Sequence, residues 1–199
     1  ASVAVRLPIT GGRDTAIRAA ILRQLDRLQG TPGRRGQLVL QFDATSDEYA
    51  SNSDFGRSLE LARFLTDARM ANVKTIAYLP DGAQGHAVLV ALACEEIVMS
   101  PDALLGPVAP NKKRADDTVR AAYKDIAGRR RTVPPPLALA LVDPSLRVVR
   151  VIKEVGDQIV LSERVPDLRE EVQVFQVEDI GARPLVLSGR RCREIGVVQ

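Results

Sequence analysis

The sequence predicts one α/β domain, a mostly parallel sheet flanked by helices. Three observations carry this. Strand-like and helix-like segments alternate from the first residues to the Gly-Pro pair at 106–107. Residues 37–42 (QLVLQF) are nearly all apolar, as a central parallel strand must be. Residues 87–94 (AVLVALAC) have no polar face, so as a helix they are buried all round. The 199 residues are 45% hydrophobic, enough for a single domain, 1–199, with a sizeable core.

The elements follow in order. Residues 2–9 (SVAVRLPI) alternate and form a first strand, closed by Thr10-Gly11-Gly12. Asp14 or Thr15 caps a helix over 16–28, with Ile17, Ile21, Leu25 and Leu28 as its apolar stripe. A turn-rich connector, 30–36, leads to the strand at 37–42, which makes a right-handed β-α-β crossover. Residues 43–54 (DATSDEYASNSD) are a polar loop; Asp43, Asp47 and Glu48 match no EF-hand spacing. Residues 55–71 form an amphipathic helix that buries Leu61, Phe64, Leu65 and Ala68. Residues 73–79 are a buried strand broken by Pro80-Asp81-Gly82, and 97–99 a short interior strand after the apolar helix. A basic stretch, 111–117, precedes a helix over 118–128. Arg129-Arg130-Arg131 then offers either a solvated face or a patch for an acidic partner or lipid head groups. A helix over 137–143 follows three prolines. Residues 147–152 and 172–177 alternate and pair as strands, and 184–196 close the chain with a short strand and a helix.

Composition excludes several classes. A net charge of +3 is too mild to indicate nucleic acid, and 4% aromatic content without tryptophan gives no stacking platform. Cys94 and Cys192 lie far apart with no metal-ligand spacing, and Cys94 reads as a small core hydrophobe. No apolar run reaches the roughly 20 residues of a membrane-spanning helix.

Residues 82–106 (GAQGHAVLVALACEEIVMSPDALLG) open a buried helix from a glycine turn, follow it with an acidic-Ile-Val-Met strand, and end on a glycine turn. This stretch resembles the nucleophile segment of the ClpP/crotonase superfamily, and most of all the ClpP-class serine proteases of the NfeD (stomatin-operon) type. The resemblance covers nearly the whole chain and implies a spiral of β-β-α-type units. Counting back from Ala91-Leu92-Ala93-Cys94, the family's nucleophilic serine falls on Gly85, and no Ser or Thr lies between Ile76 and Met99. The family's Gly-Gly loop, which supplies an oxyanion-hole N–H, falls on residues 44–47, where there is no glycine. Its general-base lysine falls in the region of Lys124, with Lys112 and Lys113 nearby.

The resemblance therefore implies a degenerate domain, a pseudoenzyme with vestigial positions Gly85 and Lys124. Gly82, Gly85, His86 and Gly106 are its candidate binding residues, and His86, the only histidine, is a wall of the former pocket. It implies no cofactor, no metal and no nucleic acid. Its partners are a peptide or protein, further copies of itself, and a membrane reached through segments outside this chain. The chain, which starts at Ala1 without Met, is then a fragment of a longer membrane-associated protein, on the extracytoplasmic side. Two alternatives stay open. One is an active serine endopeptidase with an unusual nucleophile, such as Ser100 or a residue of 45–53. The other is a crotonase-type acyl-CoA enzyme, in which a glycine at position 85 gives its backbone N–H to the oxyanion hole.

Overall fold

A computed structural model describes residues 1–28, 35–44, 51–109 and 114–198. Lys112, Lys113 and residues 45–50 of the polar loop lie outside the described residues, as does most of the 30–36 connector.

Four parallel strands form the main sheet. β1 (Ser2–Leu7) buries Val3, Val5 and Leu7 and exposes Ser2, Ala4 and Arg6, the period of 2 that its sequence predicts. α1 (Arg13–Leu28) returns the chain to β2 (Gly36–Ala44). β2 is interior: Val5 pairs with Phe42, and on the other side Leu40 pairs with Ala77. α2 (Phe55–Leu65) leads through a single 3-10 turn to β3 (Val73–Leu79). β4 (Gly82–Ala83), α3 (Ala87–Leu92), β5 (Glu96–Met99) and β6 (Leu104–Leu105) follow. The sheet order is β1-β2-β3-β5. All six residues of α3 are fully buried, so this short apolar helix is the centre of the core.

α4 (Asp117–Arg130) and α5 (Pro135–Val142) pack as a pair. β7 (Val148–Lys153), β8 (Asp157–Leu161) and β9 (Val174–Asp179) form a three-stranded antiparallel sheet in the order β8-β7-β9, with α6 (Val165–Glu171) connecting β8 to β9. It has its own small core of Val149, Val151 and Val160. The chain closes with β10 (Leu187–Ser188) and α7 (Gly189–Glu194); β10 pairs with β6, and β6 with β4, in a second small sheet.

Several expectations shift. α1 starts at Arg13, so Asp14 is inside its first turn and pairs with Arg57 at 2.9 Å instead of capping. α2 stops at Leu65 rather than 71, because Thr66 Oγ1 bonds back to the Ala62 and Arg63 carbonyls and Asp67 caps a separate turn. Pro135 and Pro136 begin α5 rather than precede it, since a first-turn proline has no N–H to lose. Strands 147–152 and 172–177 do pair, as β7 and β9. The sequence did not announce β8, because Gly156-Asp157 reads as a turn and the strand it opens has only five residues.

Candidate functional site

The backbone between β3 and α3 is built from close main-chain approaches. β4 lies parallel to β6, and a Cβ added to Gly82 would stand 2.1 Å from the Leu104 carbonyl oxygen. The Gly106 N–H donates to the Ala83 carbonyl at 2.9 Å, and the Gly85 N–H donates to the Pro107 carbonyl at 3.0 Å. The structure thus brings Gly82, Gly85 and Gly106 into one small volume.

Gly85 has φ +57, and a Cβ built there would lie 2.0 Å from the Ser51 carbonyl oxygen. Real Cβ atoms do not come that close to a backbone oxygen. The Ser51 main chain therefore occupies the space that a side chain at 85 would need. The chain just after Ser51 is anchored: Ser53 Oγ accepts the Ile9 N–H at 2.9 Å, and the Asp54 N–H donates to the Ile9 carbonyl at 3.0 Å. Asp54 also caps α2 by accepting the Arg57 N–H.

His86 follows at the start of α3. Its ring lies 5.1 Å from Phe55, the first residue of α2, and 6.2 Å from Tyr123 of α4, with Nδ1 3.4 Å from the Tyr123 hydroxyl. It is the point where three helices meet. Burial pushes the Tyr123 phenol well above its ordinary value, with a backbone hydrogen bond to Leu89 offsetting part of that. The phenol is thus a neutral hydrogen-bonding group here. In the first turn of α3 the Val88 N–H bonds the Gly85 carbonyl at 3.3 Å and the Leu89 N–H bonds the His86 carbonyl at 3.1 Å.

Lys124 lies one residue past Tyr123 and is exposed. α4 turns Tyr123, Ile126 and Ala127 inward and leaves Lys124 facing away. The four candidate binding residues are together, while Lys124 is apart from them. Asp43 is the penultimate residue of β2; Asp47 and Glu48 lie outside the described residues, and among the described ones no group of three or more His, Cys, Asp or Glu side chains could hold a metal ion.

Arg130 corrects the reading of the arginine run. Its Nε donates to the Ala93 carbonyl at 2.9 Å, one Nη donates to the Leu65 carbonyl, and the other lies 3.2 Å from Glu95 Oε1. Glu95 Oε1 also accepts from Arg35 at 2.7 Å. Thr132 Oγ1 donates to the Cys94 carbonyl at 2.8 Å. Arg130 and Thr132 thus satisfy the carbonyls left over at the C-terminal end of α3, where positive charge is favoured. The signal was in the spacing: Tyr123, Ile126, Ala127 and Arg130 fall at i, i+3, i+4 and i+7, one face of a helix. Arg129, by contrast, faces outward and pairs with Asp125 at 3.0 Å. Asp143, fully buried at the end of α5, was also not foreseen; it accepts from Ser145 N–H at 2.9 Å and has Arg120 Nε at 3.5 Å.

No protein-family model matches the chain, and no curated protein matches it in sequence. Solved structures do match. A serine-to-alanine variant of the 1510-N membrane-bound stomatin-specific protease is similar at 11% identity and a TM-score of 0.55, over 100% of this chain and 75% of that one. A lysine-to-alanine variant of the same protease, in complex with a substrate peptide, is similar at 13% identity and a TM-score of 0.57, over 100% of this chain and 72% of that one. An enoyl-CoA hydratase/isomerase family protein from Silicibacter pomeroyi overlaps in part, at 18% identity and a TM-score of 0.37, over 61% of this chain and 57% of that one. At these identities the likeness shows the fold: the chain has the ClpP-like α/β fold that the stomatin-specific protease shares. The protease is membrane-bound by name; among the described residues of this chain no helix is long and apolar enough to cross a membrane.

Proposed function

We propose that this chain is a ClpP-like domain of the NfeD type that does not cleave peptides and acts by binding or assembly beside a membrane. The observation that carries the reading is at Gly85. The position has no side chain, and the Ser51 carbonyl fills the volume where a nucleophile would stand. The exposure of Lys124 supports the same reading, because a lysine acts as a base only where burial or a neighbouring cation lowers its pKa. The Gly85 N–H already serves the Pro107 carbonyl, which speaks against the acyl-CoA alternative, since an oxyanion hole needs that donor unengaged. A peptide or protein partner is supported by the substrate peptide bound to the structurally similar protease. Attachment to a membrane through segments outside residues 1–199, on the extracytoplasmic side, and self-assembly belong to the same proposal.

The test is hydrolysis of labelled casein by the purified chain, with a fluorophosphonate probe in parallel. Neither cleavage nor labelling is expected. Cleavage that the probe abolishes would overturn the reading, and the labelled residue would name the nucleophile.

A further inference from the structure

One edge of the main sheet is β1, at the opposite end of the strand order from β5. The Val39 N–H donates to the Ala1 carbonyl at 2.9 Å, which fixes which peptide groups of β1 face inward. In a parallel pair the N–H and C=O of alternate residues serve the same neighbour. Residues 1, 3, 5 and 7 serve β2, and the N–H and C=O of Ser2, Ala4 and Arg6 point out of the sheet. Among the described residues these outward groups have no hydrogen-bond partner.

A groove of about 630 Å³ runs along this edge, between β1 and α1. Its floor includes Val3, Ile17 and Ala20, and its rim carries Arg6, Arg13 and Arg23. Among the described residues no acidic side chain lines it. The Arg13 guanidinium donates to the Pro8 carbonyl at 2.9 Å, and among the described residues none of the three arginines is paired with a carboxylate. Of the acids beside these arginines, Asp14 is held by Arg57, while Asp43 stands opposite Arg6 in the β1–β2 register, which leaves Arg13 and Arg23 as the main anchors for carboxylates.

We propose that this edge is a docking site for an extended acidic segment of a partner protein, which adds to the sheet as a strand beside β1. Three outward backbone pairs offer a ladder to any extended chain, and strand addition draws its affinity from such bonds. The apolar floor takes alternate small or branched side chains of the incoming strand. The arginine rim selects acidic residues between them, and guanidinium forks suit carboxylates. This inference stands apart from the loss of proteolysis at Gly85, and either can fail alone.

The test is binding of a capped, fluorescent Val-Glu-Val-Glu-Val-Glu peptide by anisotropy. Three comparisons accompany it: the Val-Lys counterpart, the Val-Glu peptide N-methylated on alternate amides in either register, and two protein variants. Arg6→Glu with Arg23→Glu reverses the rim charge. Ala4→Pro removes one outward N–H at an edge position that tolerates proline. The Val-Glu peptide is expected to bind and the Val-Lys peptide not to. N-methylation in one register and the double charge reversal are each expected to weaken binding about tenfold or more, a change of about 1.4 kcal/mol. Ala4→Pro is expected to weaken it severalfold with its circular dichroism unchanged. Absence of Val-Glu binding would overturn the proposal, as would equal binding of the Val-Lys peptide. Binding that N-methylation in neither register weakens would also overturn it, because the contact would then be charge without strand pairing; that comparison needs no altered protein.

Discussion

Gly85 and Gly11 have almost the same φ, +57 and +54, in very different surroundings. A Cβ added at Gly11 meets no described atom within 4 Å, whereas at Gly85 it meets the Ser51 carbonyl at 2.0 Å. Alanine at Gly11 therefore carries only the strain of a left-handed conformation, about 1 kcal/mol. Alanine at Gly85 carries that strain and also forces Ser51 to retreat until its oxygen clears 3.0 Å. Ser51 is two residues from Ser53 and three from Asp54, both bonded to the backbone of Ile9. Loosening those two bonds adds about 2 kcal/mol, at about 1 kcal/mol each. The expected losses are thus about 1 kcal/mol for Gly11→Ala and about 3 kcal/mol for Gly85→Ala, the second being the strain plus the two loosened bonds. Urea unfolding followed by circular dichroism reads both. Equal losses would refute the claim that Ser51 closes over position 85. So would a stable Gly85→Ser protein that reacts with a fluorophosphonate.

Two further expectations concern the core. Arg130→Ala strips the α3 carbonyls and one partner of Glu95, and should cost about 3 kcal/mol, the low end for breaking a buried pair, since Arg35 still holds Glu95. Arg129→Ala should cost about 0.3 kcal/mol, as an exposed helix pair does, and thermal melts of the two variants side by side check the contrast. Burial pushes the thiols of Cys94 and Cys192 each up to about 12 from 9.0. A pKa raised by folding gives stability that is full below the unfolded value and lost as pH climbs toward the folded one, here from 9.0 to about 12. At about pH 10 each thiol should have removed about 1.4 kcal/mol, so the urea midpoint should fall between about pH 8 and about pH 10, and fall less in Cys192→Ala. A midpoint that does not move would refute the burial of the thiols.

Much of the fold was legible because burial imposes a pattern on residue types. The alternation at Val3, Val5 and Leu7, the apolar run of β2 and the faceless apolar helix α3 each permit one placement. Boundaries were less legible where a side chain, not a period, sets them: Thr66 ends α2 by bonding backward, and only the folded geometry shows it. At the site, the sequence pointed to Gly85 and His86 and brought Gly82 and Gly106 beside them. The family resemblance pointed to the region of Lys124, but a one-residue offset on a helix is about 100° of rotation, and Tyr123 takes the inward direction. Ser51 was invisible for a different reason. What matters there is its carbonyl, and every residue type has one.

The Ser51 carbonyl over Gly85 also bears on how this position can change by mutation. Side chains are exchanged one codon at a time, but the path of a main chain is set by many residues at once. A serine arriving at 85 would meet the loop in its present course, and a loop that moved first would leave Ile9 without the bonds that Ser53 and Asp54 supply. Each single step loses stability before any activity could reward it. Small domains stand only a few kcal/mol above unfolding, so a two-step route through a weakened intermediate is steep. The glycine at 85 is thus locked in by its neighbour: from this sequence, the gain of a side chain at 85 requires the loop and the residue to change together.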